Sequence, residues 1–595
     1  MNKNIYKSIR TGVVALAGLL ACYSCSDTWD DHYNTGFDSH VVDATIYQQL
    51  QAEKASLSDF LEIIDSTGYK ALLDETQIVT VFAPVNGSFN KDSLLQEIAN
   101  GNKNLVISRF IKNHIARYNF SANIEEQKVE LLNKKFTSLV KGFVSEDSIP
   151  TKKETICNNG VLHIIEAEIP FHANIYELME TTASIDSIYA TLHYYDEDSL
   201  DINRSIYRGV DEDGNRIYVD SVIIHTNDLM SRLVGYVHRE DSDYTVILPS
   251  NDAYMQRLEE ARSYFVYNLH EDDRDSLQQF FSTYYTLSPL MFNNNVNLHQ
   301  QDSLATTSYS KWDPKYNVFY KPFEQGGILA PGTYTDCIEC SNGIVYLTDT
   351  YPSSIYDSFF REIVMECEST GSINIDQDAN GNALYTKTCN YNHVTINNDE
   401  VSKRAYLDVR PSTTSSQPYI AYNIPNTLSG EYDMYLVTVP LMMGVNIQPE
   451  DSLKPYQFRV NMFYRTNREN EATSSWPTTR NEALRVPEGS SGSGQNFVSN
   501  PEKVDTIFLG TKKFTECYYK SAWAGVMIQI QAYVSSSQTK TYSRRMLLDR
   551  IILTPHGMPL RGKEARAAEL AALEEGDTPD DTEEEHSDEL VDEQQ

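Results

Sequence analysis

The 595-residue sequence predicts a multi-domain chain: two related α+β units, then an all-β sandwich or jelly roll, then a disordered acidic tail. Three observations lead there. The block Thr80-Val81-Phe82-Ala83-Pro84-Val85-Asn86-Gly87-Ser88-Phe89 returns as Thr245-Val246-Ile247-Leu248-Pro249-Ser250-Asn251-Asp252-Ala253-Tyr254, and self-similarity of this kind marks repeated units. Each copy has a downstream companion, Asn159-Gly160-Val161-Leu162-His163-Ile164-Ile165 and Asn342-Gly343-Ile344-Val345-Tyr346-Leu347-Thr348, in which Asn-Gly turns into an apolar strand. From about Ser353 onward, runs rich in Val, Ile, Tyr and Phe dominate.

The amino terminus carries Lys3, Lys7 and Arg10 before an apolar run from Thr11 to Ala21, which is too short to span a bilayer and reads as a secretory signal. Leu19-Leu20-Ala21-Cys22 fits a bacterial lipobox, in which the Cys is acylated and becomes the new amino terminus. Cys25 is the second candidate anchor, because Ser26-Asp27-Thr28-Trp29-Asp30-Asp31 resembles the acidic tract of surface-exported Bacteroidota lipoproteins. Residues 1–25 are thus read as signal peptide and lipobox, and 26–44 as a polar tether.

The first unit, 45–171, opens with Tyr47, Leu50, Leu57, Phe60, Leu61 and Ile64 at helical spacing, and Leu105, Ile107, Phe110, Ile111 and Ile115 repeat the pattern. In each duplicated block a short strand runs into a Pro, which has no donor for a ladder, and then an Asn able to cap the helix that follows. Helices segregated onto a small, twisted antiparallel arrangement are expected. The second unit, 172–352, starts near Asn174 and carries an insertion, Ile206 to Val219, with an Asp-Gly turn. Asp211, Asp213 and Asn215 in that insertion fit a hairpin tip better than calcium, because no bidentate Glu follows.

In the third unit, 353–556, strands are expected at Arg404 to Val409, Pro418 to Asn423, Tyr432 to Val439, Phe458 to Tyr464, Thr506 to Leu509 and Val526 to Val534. Polar and Pro/Gly segments separate them, as in a two-sheet sandwich. Leu548 to Pro555 resembles the closing strand of galactose-binding-like carbohydrate modules. Glu488 to Gln495 is a flexible loop by composition, and 557–595 combines a short helix former with an acidic run too poor in apolar residues to fold.

The first pair of blocks resembles the two signatures of the fasciclin adhesion domain, and His114 and Tyr118 fall where that family keeps its Tyr-His block. The second copy is a divergent member: Ile247-Leu248 replaces Phe-Ala, and the equivalent stretch has Tyr284 and Tyr285 but no His. The resemblance implies an adhesive, ligand-binding role, with His114 and Tyr118 as candidate contacts in the first unit.

A formal net charge of -35 argues against nucleic acid or an anionic membrane surface as partner. Beyond the anchor region stand Cys157, Cys337, Cys340, Cys367, Cys389 and Cys517, too sparse to define the fold, and the lone Cys337/Cys340 pair lacks the partners of a zinc site. Asp376, Asp378 and Asn380 have alternate-residue spacing that suits a calcium loop, but Lys387 at the twelfth position excludes an EF-hand and favours a polar hairpin tip. No nucleophile elbow, zincin helix or phosphate loop is present, and no cofactor is expected. Glycan binding needs exposed rings beside polar groups; Trp476, Tyr518 and Trp523 are the candidates.

The leading expectation is a non-enzymatic outer-membrane surface lipoprotein that binds a glycan, peptide or protein. The resemblance to multi-domain Bacteroidota lipoproteins extends this to an accessory role beside a SusC/SusD-type nutrient importer. A surface glycoside hydrolase with a carboxylate pair in the third unit is the alternative, and a structural spacer is a third.

Overall fold

The computed structural model describes residues 39–121, 126–145, 148–203, 205–210, 216–220, 223–269, 271–293, 303–308, 318–377, 380–464, 495–521, 525–558 and 560. Cys22, Cys25, Asp378, Trp476, Trp523, the tip of the inserted hairpin, most of the Gly/Ser loop and the acidic tail lie outside them.

The first signature block forms the strand Val79–Pro84, buried along its whole length. Full burial requires neighbours on both edges and cover on both faces. Ile115–Arg117 pairs antiparallel on one edge and Gly160–Ile165 parallel on the other, from Val79↔Gly160 to Pro84↔Ile165. The sheet continues through Ile149–Cys157, Phe143–Val144 and Phe136–Val140 to Gln127–Glu130. The central pair is therefore parallel, which corrects the antiparallel expectation; parallel strands need long covered crossovers, and unbroken apolar runs such as these suit them. Helices Ile46–Ala52, Lys54–Thr67 and Lys70–Asp74 cover one face, and Leu50, Phe60, Ile64 and Leu73 enter its core.

The second unit repeats this frame. Tyr244–Pro249 pairs antiparallel with Met291–Asn293 and parallel with Gly343–Thr348, from Tyr244↔Gly343 to Pro249↔Thr348, and Asp336–Cys340 follows. The inserted hairpin is present as Ile206–Val210 against Arg216–Asp220.

Side-chain braces repeat with the strands. Asn159 Oδ1 accepts from the Ile46 N–H at 2.8 Å, and its Nδ2 donates to the carbonyls of Leu73 and Glu75 at 2.9 and 2.8 Å. Asn342 does the same with Ile175 N–H and the carbonyls of Val237 and Arg239, at 2.9, 2.8 and 2.9 Å. Asn86 and Asn251 also match: Asn86 accepts from Asp59 N–H and donates to Ala55 O, and Asn251 accepts from Ser187 N–H and donates to Ala183 O. These Asn residues hold an earlier helix, contrary to the expected cap on the following one; in the first unit that cap is Asn90, which accepts from Ser93 N–H at 3.1 Å.

In the third unit, the six-stranded sheet of Ile363–Glu366, Cys389–Thr395, Ala405–Pro411, Gly430–Thr438, Asp505–Phe514 and Met546–Pro555 shares one core with a second sheet. The latter orders Tyr419–Ile424, Val526–Ala532, Gln457–Tyr464 and Phe497–Val498. Apolar and polar residues alternate from Gln457 to Met462, a pattern that suits one solvated face, yet Asn461 and Phe463 are buried as well. The reason is a second layer: Tyr385 packs on Ala421, Phe463 and Met527. Next to Asp376, Gln377 makes an antiparallel bridge to Ala383, and Gly381 lies at φ 79°.

The second and third units are joined by continuous packing. Ala261, Phe265 and Tyr267 belong to the same core as the two sheets. Tyr285 and Tyr519 hydroxyls meet at 2.5 Å, Cys517 N–H donates to Val266 O at 2.6 Å, and Ser521 Oγ donates to Glu271 at 2.6 Å. The six cysteines from Cys157 to Cys517 are free thiols.

Each Asn-Gly pair also makes a close backbone approach. Gly160 lies at φ +143° and a Cβ there would sit 1.8 Å from Val79 O; Gly343 lies at φ +142° with Tyr244 O at 1.9 Å. Gly160→Ala and Gly343→Ala are each expected to destabilise their own unit by about 2 kcal/mol or more, read in chemical denaturation, whereas Gly209→Ala, facing open space, should leave stability unchanged.

Candidate functional site

Tyr118 follows the edge strand Ile115–Arg117 and stands 72% exposed with φ 70°, a left-handed conformation unusual for an aromatic residue. Such backbone costs roughly 1–3 kcal/mol and persists only where neighbours enforce it. Here Tyr118 N–H donates to Ile78 O at 3.2 Å, and Thr80 Oγ1, in the signature strand, donates to Tyr118 O at 2.7 Å. Phe120 N–H in turn donates to Thr80 Oγ1 at 2.9 Å. At about 1 kcal/mol each, these bonds offset the strain.

The ring of Tyr118 borders a cavity of about 820 Å³ between the first and second units. One wall carries Lys112, Arg117, Lys128 and Lys134 with Phe120 and Phe136; the other carries Tyr176, Glu177, Asp196, His225, His238 and Glu240. Lys128 Nζ sits 4.0 Å from the Phe136 ring centroid, and Lys134 pairs with Glu130 at 3.0 Å. Burial pushes Asp196 upward, but hydrogen bonds from Asn227, Tyr176 and His193 outweigh it and hold the carboxyl below its ordinary value. Burial, then the charge of His225, keeps His238 below the usual imidazole range.

The two walls are tied by Lys135, nearly buried, whose Nζ lies 2.7 Å from Glu240 and 2.9 Å from Glu177 and donates to Ser341 Oγ at 3.1 Å. Asn174 Nδ2 donates to the same Glu240 oxygen at 2.9 Å. Losing one partner of such a pair strands the other charge at a cost of about 3–5 kcal/mol, so the groove's width is fixed by an ion pair between units.

His114, the other half of the Tyr-His block, is fully buried and away from the groove lining. Its Nδ1 is 2.8 Å from Phe110 O, and its Nε2 accepts from Ile169 N–H at 2.9 Å, so the proton resides on Nδ1 and neither nitrogen is left for a ligand. Tyr518 is 4% exposed, with its ring against Gly525 where a Cβ would sit 1.9 Å away, so it is a packing residue and no glycan platform. Asp376 pairs with Asn374 at 2.9 Å, and no cluster of metal-ligating side chains occurs among the described residues.

In the third unit Glu366, Glu368 and Asp549 lie close enough to interact. Burial raises Glu368 to about 7, with the charges of Glu366 and Asp549 adding to it. Asp549 accepts from Ser402 N–H at 3.1 Å and Glu366 from Ser402 Oγ at 2.7 Å, so two of the three brace one turn. None of them lines the groove or the second cavity, about 750 Å³, beneath Tyr320, Tyr334 and Tyr351.

The fasciclin domain model matches residues 55–169. Residues 55–169 form a fasciclin domain. No curated protein matches the chain significantly. Among solved structures, the domain pair of the insect cell adhesion molecule fasciclin I matches at 14% identity and TM-score 0.20, over 51% of this chain and 99% of that one. A Paenibacillus xanthan lyase matches at 11% identity and TM-score 0.18, over 43% of this chain and 20% of that one. Within the fasciclin domain, Tyr118 reaches the surface and His114 is internal.

Burial lowers His114 to about 4 from an ordinary 6.5. A depressed imidazole is neutral in the folded protein while the unfolded chain takes up a proton, so its stabilisation is complete above pH 6.5 and is lost as pH falls toward 4. Thermal denaturation from pH 7.5 to 4 should show the fasciclin transition falling across that window, with a flatter slope in His114→Asn; parallel slopes would contradict this account.

Proposed function

We propose that the chain is a non-enzymatic, lipid-anchored outer-membrane surface protein that adheres to a partner through the groove beside Tyr118. The observation that carries this reading is the enforced exposure of Tyr118 on a fasciclin domain, at the rim of a cavity with one basic and one acidic wall. Fasciclin domains are linked to cell adhesion, and charges of both signs around aromatic side chains suit an extended segment of a protein partner.

The second unit is read as a divergent fasciclin copy on its matching strand order, register and Asn braces. It serves as the other wall of the groove and as the connector to the third unit, which is read as a β-sandwich because its two sheets share one core. Surface location rests on the lipobox residues Cys22 and Cys25; no helix among the described residues is long and apolar enough to cross a membrane. An accessory place beside a SusC/SusD-type importer is the specific form of this reading, supported by the lipoprotein resemblance.

One experiment tests location and adhesion together. Cells expressing the full chain should take up labelled palmitate, lose the label in either Cys25→Ala or Cys22→Ala, and adhere to protein-coated surfaces less well by about tenfold in Tyr118→Ala, the equivalent of about 1.4 kcal/mol. An unlabelled chain, or Tyr118→Ala cells that adhere as the parent does, would contradict the proposal.

A further inference from the structure

The four-stranded sheet of the third unit carries an outward-facing row that the groove does not involve. Lys387 bridges Tyr419, Tyr419 pairs with Gln531, and Gln531 pairs with Arg459. Directly paired residues on adjacent strands point to the same face, so these four side chains line up across the strands. Three strand spacings of about 4.8 Å make the row about 14 Å long. Lys387 is exposed, and Tyr419, Gln531 and Arg459 are half-buried.

Hydrogen bonds and ring contacts fix the polar groups of the row. Gln531 Nε2 donates to the Tyr419 hydroxyl at 2.6 Å, which leaves the hydroxyl proton as a donor and Gln531 Oε1 as an acceptor. Arg459 Nε donates to Asn496 Oδ1 at 2.7 Å while the guanidinium stacks 3.4 Å from the Tyr533 ring centroid, so its terminal nitrogens remain as donors. Lys387 Nζ stands 5.5 Å from the Tyr419 ring centroid. Neither Lys387 nor Arg459 pairs with a carboxylate among the described residues. In a chain with 84 acidic and 49 basic residues that is unexpected.

We propose that the row Lys387–Tyr419–Gln531–Arg459 binds a short acidic oligosaccharide, with its carboxylate or sulfate groups on the two terminal cations and its hydroxyls on Tyr419 and Gln531. An extended peptide fits less well. The row lies on a sheet face whose strands already bond to one another, so it offers no free backbone edge for strand addition. Planar amide, phenol and guanidinium groups suit a ligand made of hydroxyls and acidic groups. This inference rests on the reading of the chain as a binding protein, but it concerns a different face and a different ligand from the groove.

Calorimetric titration of the detergent-solubilised full chain with oligogalacturonate, chondroitin sulfate oligosaccharide, neutral cello-oligosaccharide and poly-glutamate tests it. At least one acidic oligosaccharide should bind, cello-oligosaccharide and poly-glutamate should not, and the Lys387→Met/Arg459→Met double variant should weaken binding by about tenfold or more. Tyr118→Ala should leave this binding unchanged even if adhesion fails, which separates the two proposals. Binding of neither acidic oligosaccharide, equal binding of poly-glutamate or the neutral sugar, or an unaffected double variant would overturn it.

Discussion

The buried amide of Asn159, and its counterpart Asn342, is the interaction on which the rest of the structure depends. One side chain caps the opening helix of its unit and holds two carbonyls of the segment leading to the central strand. The neighbouring glycine lets that strand close to backbone contact. With three hydrogen bonds on one side chain that is 2% exposed, removal would leave several buried polar groups unmet, at about 1–3 kcal/mol each. Helix, loop and parallel strand pair are thus fixed by two adjacent residues, and the same arrangement recurs at Asn342-Gly343.

The groove follows from how these two frames meet. The edge strand beside Val79–Pro84 delivers Tyr118, and Thr80 on that strand enforces the backbone that exposes it. Asn174, which caps the helix Ile175–Thr181, shares Glu240 with Lys135 of the first unit, so the brace region of the second unit also forms the groove's far wall. On the opposite side, Phe265, Tyr285 and Tyr519 weld the second unit to the two-sheet unit. The groove and the Lys387–Arg459 row are in this way carried by one continuous packed scaffold.

Much of the fold was legible in the sequence because it rests on local signals. Helical periodicity in Tyr47 to Ile64, the repeated strand blocks, the inserted hairpin and the strand runs after Ser353 all reflect short-range patterns, and their positions agree with the elements observed. What was not legible depends on pairing between distant residues. The parallel partnership of Val79–Pro84 with Gly160–Ile165 cannot be read from either strand alone, and Asn-Gly reads as a simple turn until its amide is seen reaching Ile46. Tyr518 has the composition of a sugar platform but lies flat on Gly525. His114 and Tyr118, four residues apart, diverge because His114 ends a buried helical turn while Tyr118 leaves the strand Ile115–Arg117 in a left-handed conformation that exposes it. The groove and the Lys387–Arg459 row are assembled from segments whose association only the register reveals.

Peptide-resolved hydrogen exchange of the full chain, of Asn159→Ala and of Asn342→Ala shows whether each amide fixes its own unit. Asn159→Ala should deprotect Ile46–Ala52 and the central strands of the first unit while Gly343–Thr348 stays protected, and Asn342→Ala should do the converse. Unchanged protection in both variants, or equal loss across both units from either one, would contradict it.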